Sequence, residues 1–379
     1  MKVLLRDTFL PGNTYSLELC KCLKSYADVV LLCKEDAGNI DGGIRFKKII
    51  YTKSSNKFFS LVKYIKSICR EIHELRKGEY DVYHIQSYKN LLVEIFMFYT
   101  AKKYCKAVVT TVHNVLPHEV SKLDRNLHKQ WYKISDALIV HNEATRECLV
   151  KLFPFTESKI AVVPHGAYSN LYNNNNQTEY TEREPKIHFL LFGQMRPYKG
   201  IDILIQAIPY LKEEIRKKIR ITIAGNQLPG QDRTDYAEMI RKYHSEDCID
   251  FQKRRVPDEE LPELFEKADF CLFPYKEIYG SGALLMAYTY DKPVIASNVP
   301  AFIEETDNGR TGILFSSGNP KELAEAIERA VSMNKEEIAS YKAAITELVQ
   351  KKYNWSVSAQ KTFEIYDKIL KKHNSSSKE

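Results

Sequence analysis

The chain has 379 residues, 44% of them hydrophobic and 28% charged, a composition with room for about two folded domains and no disordered or fibrous bias. No apolar run approaches the roughly 20 residues that span a bilayer, and Met1-Lys-Val-Leu-Leu-Arg6 leads into Asp7 and Pro11 in place of a signal core, so the sequence predicts a cytoplasmic protein. The net charge of +7 is unevenly placed: residues 1–180 hold 26 Lys and Arg against 18 Asp and Glu, and the remainder is close to neutral. Nucleic acid, an anionic membrane surface or a phosphorylated substrate each fits a basic first half, as does a mildly cationic surface with no target. Nucleic acid is the weakest of these, because no base-stacking motif or strongly basic stripe accompanies the charge. Cysteines 20, 22, 33, 69, 105, 148, 248 and 271 form no CxxC pair and mostly fall in apolar patterns, which predicts reduced core thiols, no disulfides and no zinc.

Apolar runs of strand length alternate with amphipathic helical segments from the start. Strands are expected at Val3-Leu5, Val29-Cys33, Ile44-Ile50, Val82-Ile85, Ala107-Val112, Ala137-Val140 and Ile160-Val163. Helices near 14–26, 57–77, 90–104, 124–134 and 143–152 separate them. A polar stretch without periodicity, 173–185, ends in Pro185 and reads as a linker. A second series follows, with strands at Ile187-Phe192, Ile219-Ala224, Ile249-Phe251, Phe270-Phe273, Pro293-Ala296 and Gly312-Phe315. Its helices lie near 201–212, 233–244, 258–267, 282–290 and 320–332, and a last one spans about 355–371. The expectation is an α/β fold of two Rossmann-like, doubly wound domains facing each other across a ligand-binding cleft, residues 1–172 and 186–352. The segment 353–379 should supply a helix that packs back on the first domain and a disordered tail.

One turn carries the most chemistry. Phe189-Leu-Leu-Phe-Gly193-Gln-Met-Arg196-Pro-Tyr-Lys199-Gly200 runs from an apolar strand through a glycine turn with two cations into a helix. Gly193 allows close backbone approach, the helix start offers unpaired N–H groups, Arg196 a planar fork and Lys199 a point charge, which together suit a diphosphate. Glycine turns of this kind also occur as plain connectors.

With Asp81-Val-Tyr-His84, Thr111-Val-His113-Asn114, Ala137-Leu-Ile-Val-His141, Val163-Pro-His165-Gly166, Pro274-Tyr275 leading to Ser281-Gly282, and Lys292-Pro-Val-Ile-Ala-Ser297, the chain resembles the retaining glycosyltransferases of the GT-B fold, family 4. The resemblance covers nearly the whole chain and includes members that build bacterial capsule, exopolysaccharide or O-antigen. It implies transfer of a sugar from a UDP- or GDP-sugar donor, bound by the second domain, to a glycan or polyprenyl-diphosphate-linked acceptor on the first. Arg196 and Lys199 then stabilise the leaving diphosphate. With no DxD triplet in the chain, protein cations take the place of a metal, and no cofactor is expected.

Further residues carry over by position. Gly193, Tyr275, Ser281 and Gly282 are expected around the phosphates, although Ser281 is also an ordinary helix cap. His113 matches a histidine near the transferred sugar, and His84 and His113 both end strands, so both should face the cleft. His118 and Glu119 are further acceptor-side candidates, and His165-Gly166 should shape the cleft or hinge. Pro11-Gly12-Asn13-Thr14 resembles the loop that faces donor and acceptor, with Asn13 or Thr14 equally able to cap a helix. Relatives commonly carry two glutamates flanking seven residues; here those positions are Ile278 and Met286, with Glu277 adjacent to the first. Gln194 stands where many relatives place arginine. Glu277 and Glu304 remain candidates for sugar or ribose contact. Two rival readings are a donor- or glycan-binding protein without catalysis and a GT-B nucleotide-sugar 2-epimerase, the latter disfavoured by the missing carboxylate pair.

The helix near 57–77 places apolar residues at 58, 61, 62, 65, 68 and 69 among Lys63, Lys66 and Arg70. It suits an anionic inner leaflet, or an apolar stripe packed on its own sheet.

Overall fold

The computed structural model describes residues 1–10, 14–37, 43–51, 57–86, 91–116, 122–168, 186–228 and 230–376. Gly12, Asn13, His118, Glu119 and the segment 173–185 lie outside the described residues. Chain contacts divide the molecule into two compact units, Met1–Gly166 together with Tyr353–Glu379, and Ala167–Lys352.

In the first unit, β1 (Lys2–Arg6), β2 (Asp28–Lys34), β3 (Arg45–Ile50), β4 (Val82–Ile85), β5 (Ala107–Thr111), β6 (Ala137–Val140) and β7 (Ile160–Val162) form a parallel sheet in the order β3-β2-β1-β4-β5-β6-β7. Leu4 of β1 stands between Val30 and Tyr83. Helices α1 (Tyr15–Leu23), α2 (Lys57–Gly78), α3 (Leu91–Tyr104), α4 (Lys122–Ile134) and α5 (Glu143–Leu152) connect the strands. Both faces are covered, which is why the strands read as continuous apolar runs. Val3 and Leu5 pack with α1, while Leu4 faces Leu75 of α2 and Phe98 of α3.

The second unit repeats the plan with β8 (Ile187–Phe192), β9 (Ile219–Gly225), β10 (Ile249–Lys253), β11 (Phe270–Phe273), β12 (Val294–Ser297) and β13 (Gly312–Phe315), ordered β10-β9-β8-β11-β12-β13 and again parallel. Its helices are α6 (Ile201–Ala207), α7 (Glu213–Arg216), α8 (Tyr236–Lys242), α9 (Leu261–Lys267), α10 (Gly282–Thr289), α11 (Pro300–Glu305), α12 (Pro320–Val331) and α13 (Lys335–Lys351). The helix expected over 201–212 is cut to α6, because Pro209 lacks the N–H to continue it and Ile208–Tyr210 tightens into a 3-10 turn. Helix α13 was not expected. It buries Ala344, Ile345 and Leu348, too narrow a face to give a periodic signal, and its start is fixed by a capping box between Asn334 and Glu337.

The last helix, α14 (Trp355–Ser376), packs on α1 and belongs to the first unit. Each sheet reverses its winding once, between β1 and β4 and between β8 and β11. In open parallel sheets the loops at the carboxyl ends of such strand pairs splay apart and leave room for a ligand. The Gly193–Gly200 turn follows β8 and the Pro274–Ser281 loop follows β11. No helix among the described residues is long and apolar enough to cross a membrane.

Arg6, at the carboxyl end of β1, ties two helices to the first sheet. Its guanidinium is buried with Nε 2.8 Å from Glu71 of α2 and Nη1 2.8 Å from Glu94 of α3, and the Tyr83 hydroxyl donates to Glu71 at 2.5 Å. Replacing Arg6 by methionine leaves two buried carboxylates without their cation and should destabilise this unit by about 3–5 kcal/mol in urea unfolding. Adding Glu71→Gln and Glu94→Gln should recover much of the loss.

Candidate active site

The turn after β8 is built by backbone. Gly193, at φ +113°, donates its N–H to the Ala224 carbonyl at 2.9 Å, and the Met195 N–H reaches the Asn226 carbonyl at 2.9 Å. A Cβ on Gly225 would sit 2.0 Å from the Gly193 carbonyl oxygen, so both glycines are needed where β8 and β9 end side by side. Arg196 then extends into the short turn Pro197–Lys199, and Gly200, at φ +67°, starts α6. A side chain on Gly200 would meet the Pro274 carbonyl at 1.8 Å. This turn and the loop after β11 are therefore in backbone contact.

Lys199 folds back under its own turn. Its ammonium donates to the Phe192 carbonyl at 3.3 Å and lies 5.3 Å from the centre of the Tyr275 ring. A Cβ on Gly193 would stand 2.7 Å from it. Only 6% of the residue is exposed, and no carboxylate among the described residues pairs with it. Burial, with Arg196 nearby, pushes its pKa down to about 8. Arg196 is half-buried and likewise has no ion-pair partner among the described residues.

The loop after β11 is clamped from several sides. The Lys276 N–H donates to the Tyr198 carbonyl at 2.7 Å, and its ammonium pairs with Asp202 of α6 at 2.7 Å. The Tyr275 carbonyl accepts from Ser297 Oγ at 2.5 Å and from Ser317 Oγ at 3.2 Å, which ties the loop to the ends of β12 and β13. The Tyr275 ring is buried against Tyr198, Phe273 and Phe302, and its hydroxyl is buried near Ser281 without a hydrogen bond of normal geometry. Ser281 caps α10, its Oγ accepting from the Leu284 N–H at 3.2 Å. At Gly282 a Cβ would fall 2.8 Å from the Tyr168 hydroxyl.

The structure thus brings Gly193, Lys199 and Tyr275 into direct contact, with Arg196 in the same turn and Ser281 and Gly282 closing the loop that holds Tyr275. Glu277 is exposed on that loop. Glu304, on α11, faces Lys352 at 3.2 Å. Met286 is largely buried in α10. Tyr168 and Asp202 were passed over by sequence reasoning. Tyr168 stands two residues after the His165-Gly166 motif, and that adjacency was the only signal for it.

In the first unit, four histidines gather near the carboxyl ends of β4, β5, β6 and β7. His113 Nδ1 lies 3.0 Å from His141 Nε2, and His141 Nδ1 lies 3.0 Å from the Val163 carbonyl. Tyr15 of α1 packs edge-on against His113 at 4.9 Å and His165 at 4.8 Å, and Trp355 of α14 closes on Tyr15 at 5.1 Å. The expectation that His84 faces the cleft is corrected. Its ring is wholly buried, with Nδ1 2.5 Å from the Tyr366 hydroxyl of α14 and Nε2 2.8 Å from Thr111 Oγ1. Helix α14 covers it, and strand position alone did not show that cover. Burial pushes the His84 and His165 pKa values down to about 3 and that of His141 to about 4.

Among the described residues no cluster of three or more His, Cys, Asp or Glu could hold a metal ion. An open cavity of about 650 Å³ lined by Lys2, Arg45, Lys47, His73, Lys77 and Tyr80 lies at the amino ends of β1 and β3, the opposite end of the sheet from the histidines.

Two doubly wound parallel-sheet units of this kind are those of the GT-B glycosyltransferase fold. The chain belongs to that class by sequence as well: residues 12–168 match the model for Glycosyltransferase Family 4 and residues 173–346 that for Glycosyl transferases group 1, and it is a member of this family. A D-inositol 3-phosphate glycosyltransferase of Corynebacterium aurimucosum is 26% identical over 271 residues, 69% of this chain and 63% of that protein. A GDP-mannose:glycolipid 4-beta-D-mannosyltransferase of Xanthomonas campestris is 25% identical over 59% of this chain and 63% of its own length. The match thus spans under two thirds of these curated relatives. Among solved structures, Anabaena HepE in complex with UDP and glucose superposes with a TM-score of 0.74 at 17% identity, covering 97% of this chain and all of that one. Sucrose-phosphate synthase from Thermosynechococcus elongatus also reaches 0.74, at 18% identity over 98% of this chain and 99% of that one.

A buried ammonium without a carboxylate should cost stability. Because folding lowers the Lys199 pKa from 10.5 to about 8, the unfolded chain binds the extra proton between those values, and stability should rise with pH across that window. At pH 7 the cost is about 3 kcal/mol. Lys199→Met should therefore raise the urea midpoint of the second unit at pH 7 and flatten its dependence between pH 8 and 10.5.

Proposed function

We propose that this glycosyltransferase moves a sugar from a UDP- or GDP-sugar to a lipid-linked glycan acceptor, with Lys199 and Arg196 stabilising the diphosphate as it leaves. The observation that carries the reading is Lys199, buried at the switch point of the second sheet with no carboxylate for its charge among the described residues. An anion beside it gains the full interaction, because little water screens it there. Gly193 leaves space for the ammonium, Arg196 adds a planar fork, and Ser281 and Gly282 present the start of α10. Tyr168 and the Tyr275 hydroxyl add polar groups to the same region. The two cations take the role that a divalent metal has elsewhere. In the first unit His113 faces the transferred sugar. Bound UDP in the HepE complex and GDP-mannose in the Xanthomonas relative's name are consistent with a nucleoside-diphosphate donor.

Retention of configuration rests on the family resemblance, and proton NMR of the product's anomeric coupling reads it directly. A place in surface polysaccharide synthesis at the inner face of the membrane rests on the acceptor side. Phe58, Phe59, Leu61, Val62 and Ile65 of α2 are exposed, while Ser67, Glu71 and Leu75 of the same helix are buried. The apolar stripe of its first two turns therefore points away from the sheet, flanked by Lys63, Lys66 and Arg70. Leu92, Phe96 and Tyr99 of α3, which packs on α2, continue the exposed apolar surface. An apolar patch with a basic rim fits an anionic bilayer and would hold the enzyme where a polyprenyl-diphosphate acceptor resides.

Nucleotide release across UDP- and GDP-sugars, with and without membrane lipid extract, tests the reading. Release should depend on one donor and on the extract, and kcat/KM should fall about 100-fold or more in Arg196→Ala and in Lys199→Ala. Donor binding without release in any acceptor pool would count against transfer and favour a binding role. Phe58→Ser combined with Leu61→Ser and Ile65→Ser should abolish sedimentation with phosphatidylglycerol vesicles while leaving the thermal midpoint within a few degrees; unchanged sedimentation would reject the membrane surface.

A further inference from the structure

The hydrogen bonds between His113, His141 and Val163 have a direction. A carbonyl oxygen can only accept, so Nδ1 of His141, 3.0 Å from the Val163 oxygen, carries a proton. A neutral imidazole has one N–H, so Nε2 of His141 is a lone pair. Nδ1 of His113 lies 3.0 Å from that lone pair and must donate to it. If His113 is neutral as well, its single proton is spent there and its Nε2 is left as an acceptor. Both rings are held neutral by burial, His113 also by facing His141, His165 and His84. Nε2 of His113 engages no partner among the described residues.

We propose that His141 is a positioning residue that locks His113 as its Nδ1–H tautomer, so that His113 offers the sugar-transfer site a hydrogen-bond acceptor. The proposal rests on the reading of His113 as a residue of that site. A lone pair at Nε2 selects for a group that donates. A hydroxyl of the transferred sugar or of the acceptor satisfies it, whereas a phosphate oxygen, which can only accept, is repelled. His113 is thereby matched to a sugar hydroxyl, while the diphosphate is left to Lys199 and Arg196. The surrounding rings keep the relay in register. Tyr15 stands perpendicular to His113, tilts onto His141 at 5.3 Å and is backed by Trp355. Rotation of either imidazole would break this packing as well as a hydrogen bond.

Nitrogen-15 NMR of the full-length protein labelled at histidine tests the lock, with His113 assigned by its loss in His113→Gln. The wild type should show His113 with a proton-bearing Nδ1 and a bare Nε2. In His141→Phe, which removes the acceptor, His113 should shift toward the Nε2–H form and kcat should fall about tenfold with the donor KM little changed. His141→Gln should restore the wild-type pattern and most of the rate, because the Val163 carbonyl holds the amide NH2 and turns the amide oxygen to His113. A wild-type His113 bearing its proton on Nε2 overturns the proposal, and so does a His141→Phe variant with unchanged tautomer and rate. If that variant does not fold, the wild-type spectrum still decides. A tautomer as expected combined with full turnover in His113→Gln also overturns it, by removing His113 from the site, and this outcome is distinct from a failure of the lock itself.

Discussion

A lysine ammonium enclosed by protein, with a carbonyl oxygen and a tyrosine ring as its contacts, is the constraint on which the second unit is arranged. Enclosing Lys199 requires the turn after β8 to fold tightly, and that requires glycine at 193, 200 and 225, where any side chain would collide with backbone or with the ammonium itself. It also requires the loop after β11 to form the lid. That loop is held by the Lys276 N–H on Tyr198, by the Lys276–Asp202 pair and by Ser297 and Ser317 on the Tyr275 carbonyl. These partners follow β8 or lie at the ends of β12 and β13, and the loop itself follows β11, so four strands of the sheet cooperate to keep one charge out of water. The second unit thereby carries, at a cost in stability, a positive charge with no described carboxylate partner where its sheet reverses.

The first unit solves a complementary problem with neutral groups. Its switch-point strands end in a buried ion cluster at Arg6 and, further along, in a set of imidazoles that burial keeps uncharged. The Arg6 cluster fixes α2 and α3 to the sheet through their polar sides, which leaves the opposite sides of both helices to carry exposed apolar residues. The histidines then differ in use. His84 is consumed by Tyr366 and Thr111, His141 by Val163 and His113, and His113 alone in that pair keeps a ring nitrogen without a described partner.

The alternation of strand and helix was legible because parallel strands buried on both faces leave continuous apolar runs, and the glycine turn was legible because its spacing is dictated by backbone approach. Position along a strand was a poorer guide. His84 and His113 both stand at the carboxyl end of a strand pattern, yet Tyr366 of α14, 282 residues beyond His84, meets His84, which is fully buried, while His113 is only partly buried. The burial of Lys199 was not legible in the sequence, since nothing local says that Tyr275 closes over it. Pro209 was visible and its consequence for α6 was missed, while α13 hid behind a three-residue buried face. For His84 and Lys199 the missing information was a contact made far along the chain.

Helix α14 gives that distance a temporal meaning. The chain leaves the first unit at Gly166, builds the whole second unit, and returns with Trp355 edge-on to Tyr15 and tilted against His165, the Ser358 hydroxyl on the Pro164 carbonyl at 2.6 Å and Tyr366 on His84. On the ribosome, the first unit therefore begins before the second and is finished after it. Until residue 366 is clear of the exit tunnel, α1 lacks the helix that packs on it and His84 has no tyrosine hydroxyl to meet, so the first unit stays incomplete while the whole of the second is made.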